Sequence, residues 1–132
     1  MVTKLGKWVA ALALLGAVAI GGWVLRHYWK TPLWNEHRKT FAAIHVEDGI
    51  DEHEAETLAR AYLDEFISGC GAPMAPTASA GSWSFQLKLG VAGELSAETI
   101  RVDARTGATS SSQGRPSFSS LAAFRRAVLW GL

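Results

Sequence analysis

The residues best suited to chemistry are clustered just before and inside the start of one predicted helix. Two histidines and five acidic residues lie within positions 45–54: His45, Glu47, Asp48, Asp51, Glu52, His53 and Glu54. These residue types could bind a metal ion, but Glu56 and Thr57 follow where a His-Glu-x-x-His motif would need its second histidine. Acidic side chains are also favoured at a helix start, where the free N–H groups carry partial positive charge. We therefore interpret the cluster as a solvated helix start and expect no metal and no other cofactor.

The possible nucleophiles lack recognisable partners. Serines are frequent at 110–112 and 117–120, but no Gly-x-Ser-x-Gly elbow surrounds them. Cys70 is the lone cysteine and has no identifiable base; it is interpreted as a small core or loop residue. No catalytic, cofactor-binding or metal-binding residue is assigned, and the protein is not expected to be an enzyme.

The element that positions everything else is an apolar stretch from Trp8 to Leu25 without a charged side chain. A run of about 18 apolar residues is the usual length of a membrane-spanning helix. From Trp8 to Trp29 such a helix covers roughly 30 Å, and tryptophan and tyrosine favour the headgroup region at its ends. We predict an anchor helix over 1–30, with membrane lipid as its partner. The anchor residues are Trp8, Leu12, Leu15, Ile20, Trp23, Leu25, Tyr28 and Trp29.

Two features of this stretch leave alternatives open. Lys4 and Lys7 with Ala17-Val18-Ala19 also fit a cleaved signal peptide, although the apolar run continues past that site and favours an uncleaved anchor. Small residues on the helix could allow close helix–helix association, or are simply common in membrane helices. They are Ala13, Gly16, Ala17 and Gly21.

The orientation in the membrane is weakly determined by charge. Lys4 and Lys7 precede the apolar run, while Arg26, Lys30, Arg38 and Lys39 follow it. Basic residues mark the cytoplasmic side, so the two flanks nearly cancel. The signal-anchor arrangement favours a single-pass protein of the inner or plasma membrane with an extracytoplasmic domain, and the opposite orientation stays open.

The charge is distributed unevenly along the 132 residues. Positions 1–30 carry +4 and no acid, whereas the remainder holds all 12 acidic residues against nine Lys and Arg, giving −3. A mildly acidic soluble part argues against nucleic acid as a partner. Beyond the anchor, about 85 to 100 residues remain, enough for one small domain.

The junction after the anchor contains Pro32, which disfavours a continuing helix and predicts an end near Lys30. Residues 31–46 are then either an irregular linker or a short amphipathic helix. The apolar positions of that helix would be Leu33, Trp34, His37, Phe41 and Ile44.

The domain is predicted over 47–132 as alternating helical and extended elements. Asp51 and Glu54 form a capping-box pattern for a helix over 52–68, and Gly69 ends it. The proline- and glycine-rich segment 69–81 is predicted as a loop.

Strands follow this loop. Strict alternation from Trp83 to Leu89 predicts a strand over 82–89, with Phe85 and Leu87 on its inner face. A second strand over 97–103 has Ile100 and Val102 inward, and the next turn uses Gly107. A short third strand over 108–112 and a helix over 119–130 complete the domain.

These elements predict an α+β fold. After the transmembrane helix, a small antiparallel sheet of two or three strands packs with two helices. Phe124, Val128 and Trp130 on the last helix are candidates for a partner-binding surface.

The segment from about 50 to 112 resembles the PepSY family of small extracytoplasmic domains. The resemblance rests on the helix residues Ala55, Leu58, Ala59 and Tyr62, on Trp83-Ser-Phe-Gln-Leu87, and on Ile100-Arg-Val-Asp-Ala-Arg-Thr-Gly107. The loop and the final helix depart from the family pattern. The resemblance implies a membrane-anchored or secreted regulatory module, some of which inhibit proteases, with no catalytic residues.

Two functions follow as hypotheses. The domain is expected to act as an interaction or inhibitory module at the cell envelope, with another protein as its partner. The alternative is a structural subunit of a membrane complex assembled through the transmembrane helix.

Overall fold

The computed structural model describes residues 4–130, apart from the side chains of residues 30, 33 and 34. The chain divides into two compact units between Asn35 and Glu36. Because the side chains of Leu33 and Trp34 are not described, the part of the amphipathic-helix prediction that depends on them lies outside the described residues.

Helix α1, Lys4–Ala43, runs through Pro32 without ending. The predicted end near Lys30 is wrong. Proline removes one backbone N–H and normally disfavours a helical residue before it. The residue before it, Thr31, is nevertheless helical, and its hydroxyl donates to the His27 carbonyl. Beyond the proline, Phe41 is only 3% exposed and belongs to the core of the second unit, so tertiary packing stabilises this end of α1. The folded unit therefore begins before residue 47.

Helix α2, Glu52–Tyr62, begins at the predicted capping box. The Asp51 carboxylate accepts the Glu54 N–H at 2.8 Å, and the Glu54 carboxylate accepts the Asp51 N–H at 3.1 Å. A single π-helical turn, Leu63–Ile67, continues the helix. The predicted range of 52–68 is confirmed to within a residue.

An antiparallel sheet of five strands forms the centre of the second unit within the described residues. The strands are β1 (Gly71–Pro73), β2 (Thr77–Ser79), β3 (Ser82–Leu89), β4 (Glu94–Asp103) and β5 (Thr109–Ser111). Their order is β1-β3-β4-β5, with β2 also paired to β3. The predicted α+β fold is confirmed, but the expected number of two or three strands is wrong.

Strands β1 and β2 lie in the segment that was predicted as a loop. Both pair with the same side of β3, β1 near its end at Leu89 and β2 near its start at Ser82. Neither has an apolar alternation of its own, and Pro73 is tolerated because β1 is an edge strand. Their extended structure therefore comes from pairing with β3.

The core lies between one face of the sheet and the helices. Phe85, Ile100 and Val102 face inward, as the alternation predicted, and the register pairs Phe85 with Ile100 and Trp83 with Val102. The Trp83 indole N–H donates to the Ile50 carbonyl at 3.0 Å, which satisfies its polar group at the edge of the core. Fully or almost fully buried members include Leu58, Tyr62, Leu63, Phe85, Leu87, Ile100, Val102, Phe124 and Val128.

The turn after β4 leads into β5 and packs against the start of α3, Leu121–Trp130. The Asp103 carboxylate accepts the N–H groups of Arg105 and Thr106 at 2.9 and 2.8 Å. Gly107 has φ 68°, as its place in the turn predicted. A Cβ atom there would also lie 2.9 Å from the Leu121 Cβ, so this position packs directly against the start of α3.

Candidate membrane anchor and interaction surface

The first part of α1, Lys4–Trp29, is a 26-residue segment long and apolar enough to cross a membrane. At 1.5 Å per residue it extends for about 39 Å, more than the hydrocarbon core of a bilayer. Trp8 at one end is 70% exposed and Trp29 at the other is 77% exposed. All eight predicted anchor residues are exposed: Trp8, Leu12, Leu15, Ile20, Trp23, Leu25, Tyr28 and Trp29. A continuous apolar surface of this size requires a lipid or protein environment.

The small residues of α1 form an open stripe. Ala13, Gly16, Ala17 and Gly21 follow the three- and four-residue spacing of one helix face, and all are exposed. Within the described residues, no atom outside the local helix lies within 4 Å of a Cβ placed on Gly16 or Gly21. The stripe therefore has the geometry for close approach of a second helix, and association through it stays a prediction.

The predicted partner surface on α3 is wrong for two of its three residues. Phe124 and Val128 are 0% and 1% exposed, and only Trp130, at 70%, lies on the surface. The Phe124 ring centroid lies 5.3 Å from that of Phe41 and 5.2 Å from that of Phe118. The apolar stripe of α3 therefore closes the core of its own unit instead of facing a partner.

A groove of about 560 Å³ opens beside this stripe of α3. We call it the α3 groove; its lining residues are Phe41, Val46, Leu121, Ala122, Arg125, Arg126 and Trp130. Ala122, Arg126 and Trp130 are spaced four residues apart, so they share one helix face. The groove is thus built from the end of α1, a 3₁₀ turn at Val46–Asp48 and the exposed face of α3.

The composition of the α3 groove suits binding. Phe41 and Leu121, only 3% and 9% exposed, form an apolar floor, while both arginines and Trp130 are exposed. Tryptophan and arginine are the residues most often found at the energetic centre of protein interfaces. Of the three predicted partner residues only Trp130 lines this groove. Sequence reasoning missed the other lining residues because it selected the apolar stripe of α3, whereas the exposed side chains lie beside that stripe.

The acidic and histidine-containing segment 45–54 serves local structure in part, since Asp51 and Glu54 cap α2. Among residues 4–130, no group of three histidine, cysteine or acidic side chains is placed to hold a metal ion. Cys70 is exposed in the turn before β1, so of the two interpretations offered, the loop residue is correct.

A buried carboxylate that sequence reasoning missed lies on β4. Glu98 is 3% exposed and accepts hydrogen bonds from the Ser111 hydroxyl and, at 2.7 Å, from the Arg115 Nε. Arg115 also donates through Nη1 to the Phe66 carbonyl at 2.9 Å. The signal was present in the sequence, because residue 98 shares the inward alternation of Ile100 and Val102.

The electrostatics of this cluster follow from burial and hydrogen bonding. Burial alone would raise the pKa of Glu98, but the hydrogen bonds from Arg115 and Ser111, together with the arginine charge, lower it below its ordinary value. Burial, and secondarily the Glu98 charge, raises the pKa of the nearby Tyr62, whose hydroxyl donates to the Pro116 carbonyl at 2.6 Å. These contacts attach the polar segment 112–117 to α2, so the cluster is structural.

Comparisons with protein-family models, with curated proteins and with solved structures find no match for this chain. The resemblance of residues 50–112 to the PepSY family therefore stays a prediction.

Proposed function

We propose that this protein is a single-pass, membrane-anchored module whose small α+β unit binds and regulates another protein at the cell envelope. The observation that carries the proposal is the combination of two surfaces in one chain. One is the exposed apolar segment Lys4–Trp29, which is long and apolar enough to cross a membrane, and the other is the open α3 groove on the folded unit. The PepSY-like pattern supports a regulatory role, including inhibition of an enzyme.

The proposed location is the inner or plasma membrane, with the folded unit outside the cytoplasm. The basic residues on the two flanks of the apolar segment nearly balance, so the orientation needs a direct test. A topology reporter fused after Leu132 should be active only on the extracytoplasmic side. Activity only on the cytoplasmic side would reverse the proposed orientation.

A helix replacement tests whether the folded unit or the apolar helix recruits the partner. Residues 8–25 are replaced by an unrelated apolar spanning helix in the full-length chain, and tagged protein is purified from native membranes. We expect the same proteins to be recovered in the same amounts, because the binding surface lies in the second unit. An unrelated single-pass protein carrying the same replacement helix provides the background control.

Loss of partner recovery in that experiment would support the second candidate function, a structural subunit assembled through its membrane helix. The observation that favours this candidate is the open stripe of Ala13, Gly16, Ala17 and Gly21 on α1. Substitution of Gly16 and Gly21 by Leu would then abolish assembly, whereas the interaction-module proposal expects no effect.

A further inference from the structure

We infer that the α3 groove binds an acidic segment of a partner protein that inserts an apolar side chain between Phe41, Leu121 and Trp130. The inference rests on the proposed function and names the chemistry of the partner. Three observations carry it: the recessed apolar floor, the two exposed arginines of the rim and the shape of the groove.

The floor selects an apolar group. Phe41 and Leu121 are almost buried yet line the groove, together with Val46 and Ala122. A volume of about 560 Å³ lies within the range of about 300–1,000 Å³ that is typical of ligand sites in proteins. An apolar side chain from a partner would cover this floor and exclude water from it.

The rim selects negative charge. Arg125 and Arg126 are exposed, and among the described residues that line the groove none carries a carboxylate side chain. Glu47 and Asp48 are exposed and directly follow the lining residue Val46, but neither of them lines the groove. A guanidinium group binds a carboxylate through two parallel hydrogen bonds, which makes an acidic side chain or a terminal carboxylate the complementary group.

The concave shape favours a protein segment over the bilayer surface. Helices that bind a membrane surface present their apolar residues outward, so that these residues reach the acyl chains. In the α3 groove the apolar floor is recessed behind Arg125, Arg126 and Trp130, and of these only Trp130 is a large apolar side chain. A flat headgroup layer would meet the rim and leave the floor uncovered.

Photo-crosslinking on the full-length chain in native membranes tests the inference. The photoreactive amino acid p-benzoylphenylalanine replaces Trp130 in one variant and Val91, which is fully exposed in the β3–β4 turn, in another. Adducts are identified by mass spectrometry as protein or lipid, and the crosslinked peptide is sequenced. We expect position 130 to capture a peptide that is net negative and contains a large apolar residue next to its acids.

Charge removal at the rim provides the decisive comparison. In the position-130 variant, Arg125→Gln with Arg126→Gln should lower the adduct yield about tenfold. This is about 1.4 kcal/mol, the size expected for two solvent-exposed ion pairs. The matched control is Arg105→Gln with Lys88→Gln, which removes two exposed positive charges elsewhere on the unit and should leave the yield unchanged.

The possible outcomes separate this inference from the proposed function. A lipid adduct alone, a neutral or basic peptide, or equal yields from the two double variants would overturn the acidic-segment inference. Protein capture from position 91 but not from position 130 would keep an interacting unit while removing the groove as its site. Absence of protein adducts from both positions would count against the proposed function itself.

Discussion

The two units of this chain use large apolar residues in opposite ways. Between Leu5 and Trp29, the large apolar side chains of α1 are 52–79% exposed, whereas Leu58, Phe85 and Ile100 in the second unit are fully buried. The residue types are similar, but their spacing differs. In α1 apolar residues cover every face of the helix, while in the second unit they follow a helical stripe or the two-residue alternation of a strand.

The difference shows which exposed apolar groups are informative. The second unit buries most of its large apolar residues, and its exposed ones among the described residues include Val91, Leu95 and Trp130. Of these three, Trp130 lines the α3 groove, which is the surface proposed for binding. Between Leu5 and Trp29 of α1, by contrast, the large apolar side chains are all exposed, which indicates a lipid or protein environment for the whole segment. If the two units are independent, a mutation in the apolar segment should change membrane attachment without changing the stability of the second unit. A mutation in the core of the second unit should have the reverse effect.

The largest expected effect comes from charges placed in the middle of the anchor. Leu15→Arg with Val18→Arg should release the protein from the membrane, since each arginine at a helix centre opposes insertion by roughly 2.5–3.5 kcal/mol. Carbonate extraction of the membrane fraction measures the release, and Leu15→Ala with Val18→Ala is the matched control. Amide exchange in β3 and β4 should stay slow in both variants. A double-arginine variant that resists extraction would argue against the anchor.

The converse experiment disturbs only the second unit. Phe124→Ala should lower its free energy of unfolding by about 3–5 kcal/mol, because the ring packs against Phe41, Tyr62 and Phe118. Amide exchange of β4 in the full-length protein in nanodiscs measures the loss, and the membrane fraction should not change. Trp130→Ala on the same helix should alter stability by less than about 0.5 kcal/mol. Equal losses in both variants would remove the distinction between the core and groove faces of α3.

The sequence predicted the elements whose signals are local. The alternation in 82–89 and the Asp51–Glu54 pair each fixed an element to within about one residue, because side-chain period and capping chemistry operate within a few residues. The apolar length of the anchor was predicted for the same reason, and the Gly107 turn was found from its own residues.

The remaining features depend on contacts between residues far apart in the sequence, which no short stretch of sequence contains. Strands β1 and β2 exist because β3 offers an edge, and α1 continues past Pro32 because Phe41 packs in the core. Only Trp130 of the α3 groove was predicted as a partner residue, because three separated segments form the groove. The choice of Phe124 and Val128 as partner residues failed since an apolar stripe alone cannot distinguish a core face from a binding face.

A smaller effect is expected from Glu98, a polar group that the second unit buries and satisfies internally. Glu98→Gln should cost about 1–3 kcal/mol at pH 7 by weakening the hydrogen bonds from Arg115 and Ser111. The lower part of this range applies, since the Arg115 side chain is 39% exposed and solvent screens the ion pair. Glu94→Gln, an exposed position on the same strand, is the control and should change stability by less than about 0.5 kcal/mol.

The pH dependence sharpens this prediction. Because the pKa of Glu98 is lowered in the folded state, its stabilisation is complete above the ordinary glutamate pKa of about 4.3 and is lost as the pH falls through the lower folded-state value. The difference in stability between wild type and Glu98→Gln should therefore shrink below about pH 4.3. Hydrogen bonds from Thr106 also lower the pKa of Asp103, so the variant keeps part of the acid dependence. A difference that does not vary with pH would show that the Glu98 charge contributes nothing.

The smallest effect is a gain in stability at the tight turn between β2 and β3. Ala80 has φ 48° and is followed by Gly81 at φ 74°, the signature of a two-residue type I′ hairpin, which favours Asn-Gly. A left-handed alanine is strained by about 1 kcal/mol, and asparagine adopts this conformation more readily. Ala80→Asn should therefore stabilise the second unit by about 0.5–1 kcal/mol in the same exchange measurement, without affecting the membrane fraction. The same substitution at Ala78, which lies within β2, should be neutral or slightly destabilising, because asparagine is disfavoured in strands. A gain at position 78 but not at 80 would contradict the turn geometry and, with it, the pairing of β2 to β3.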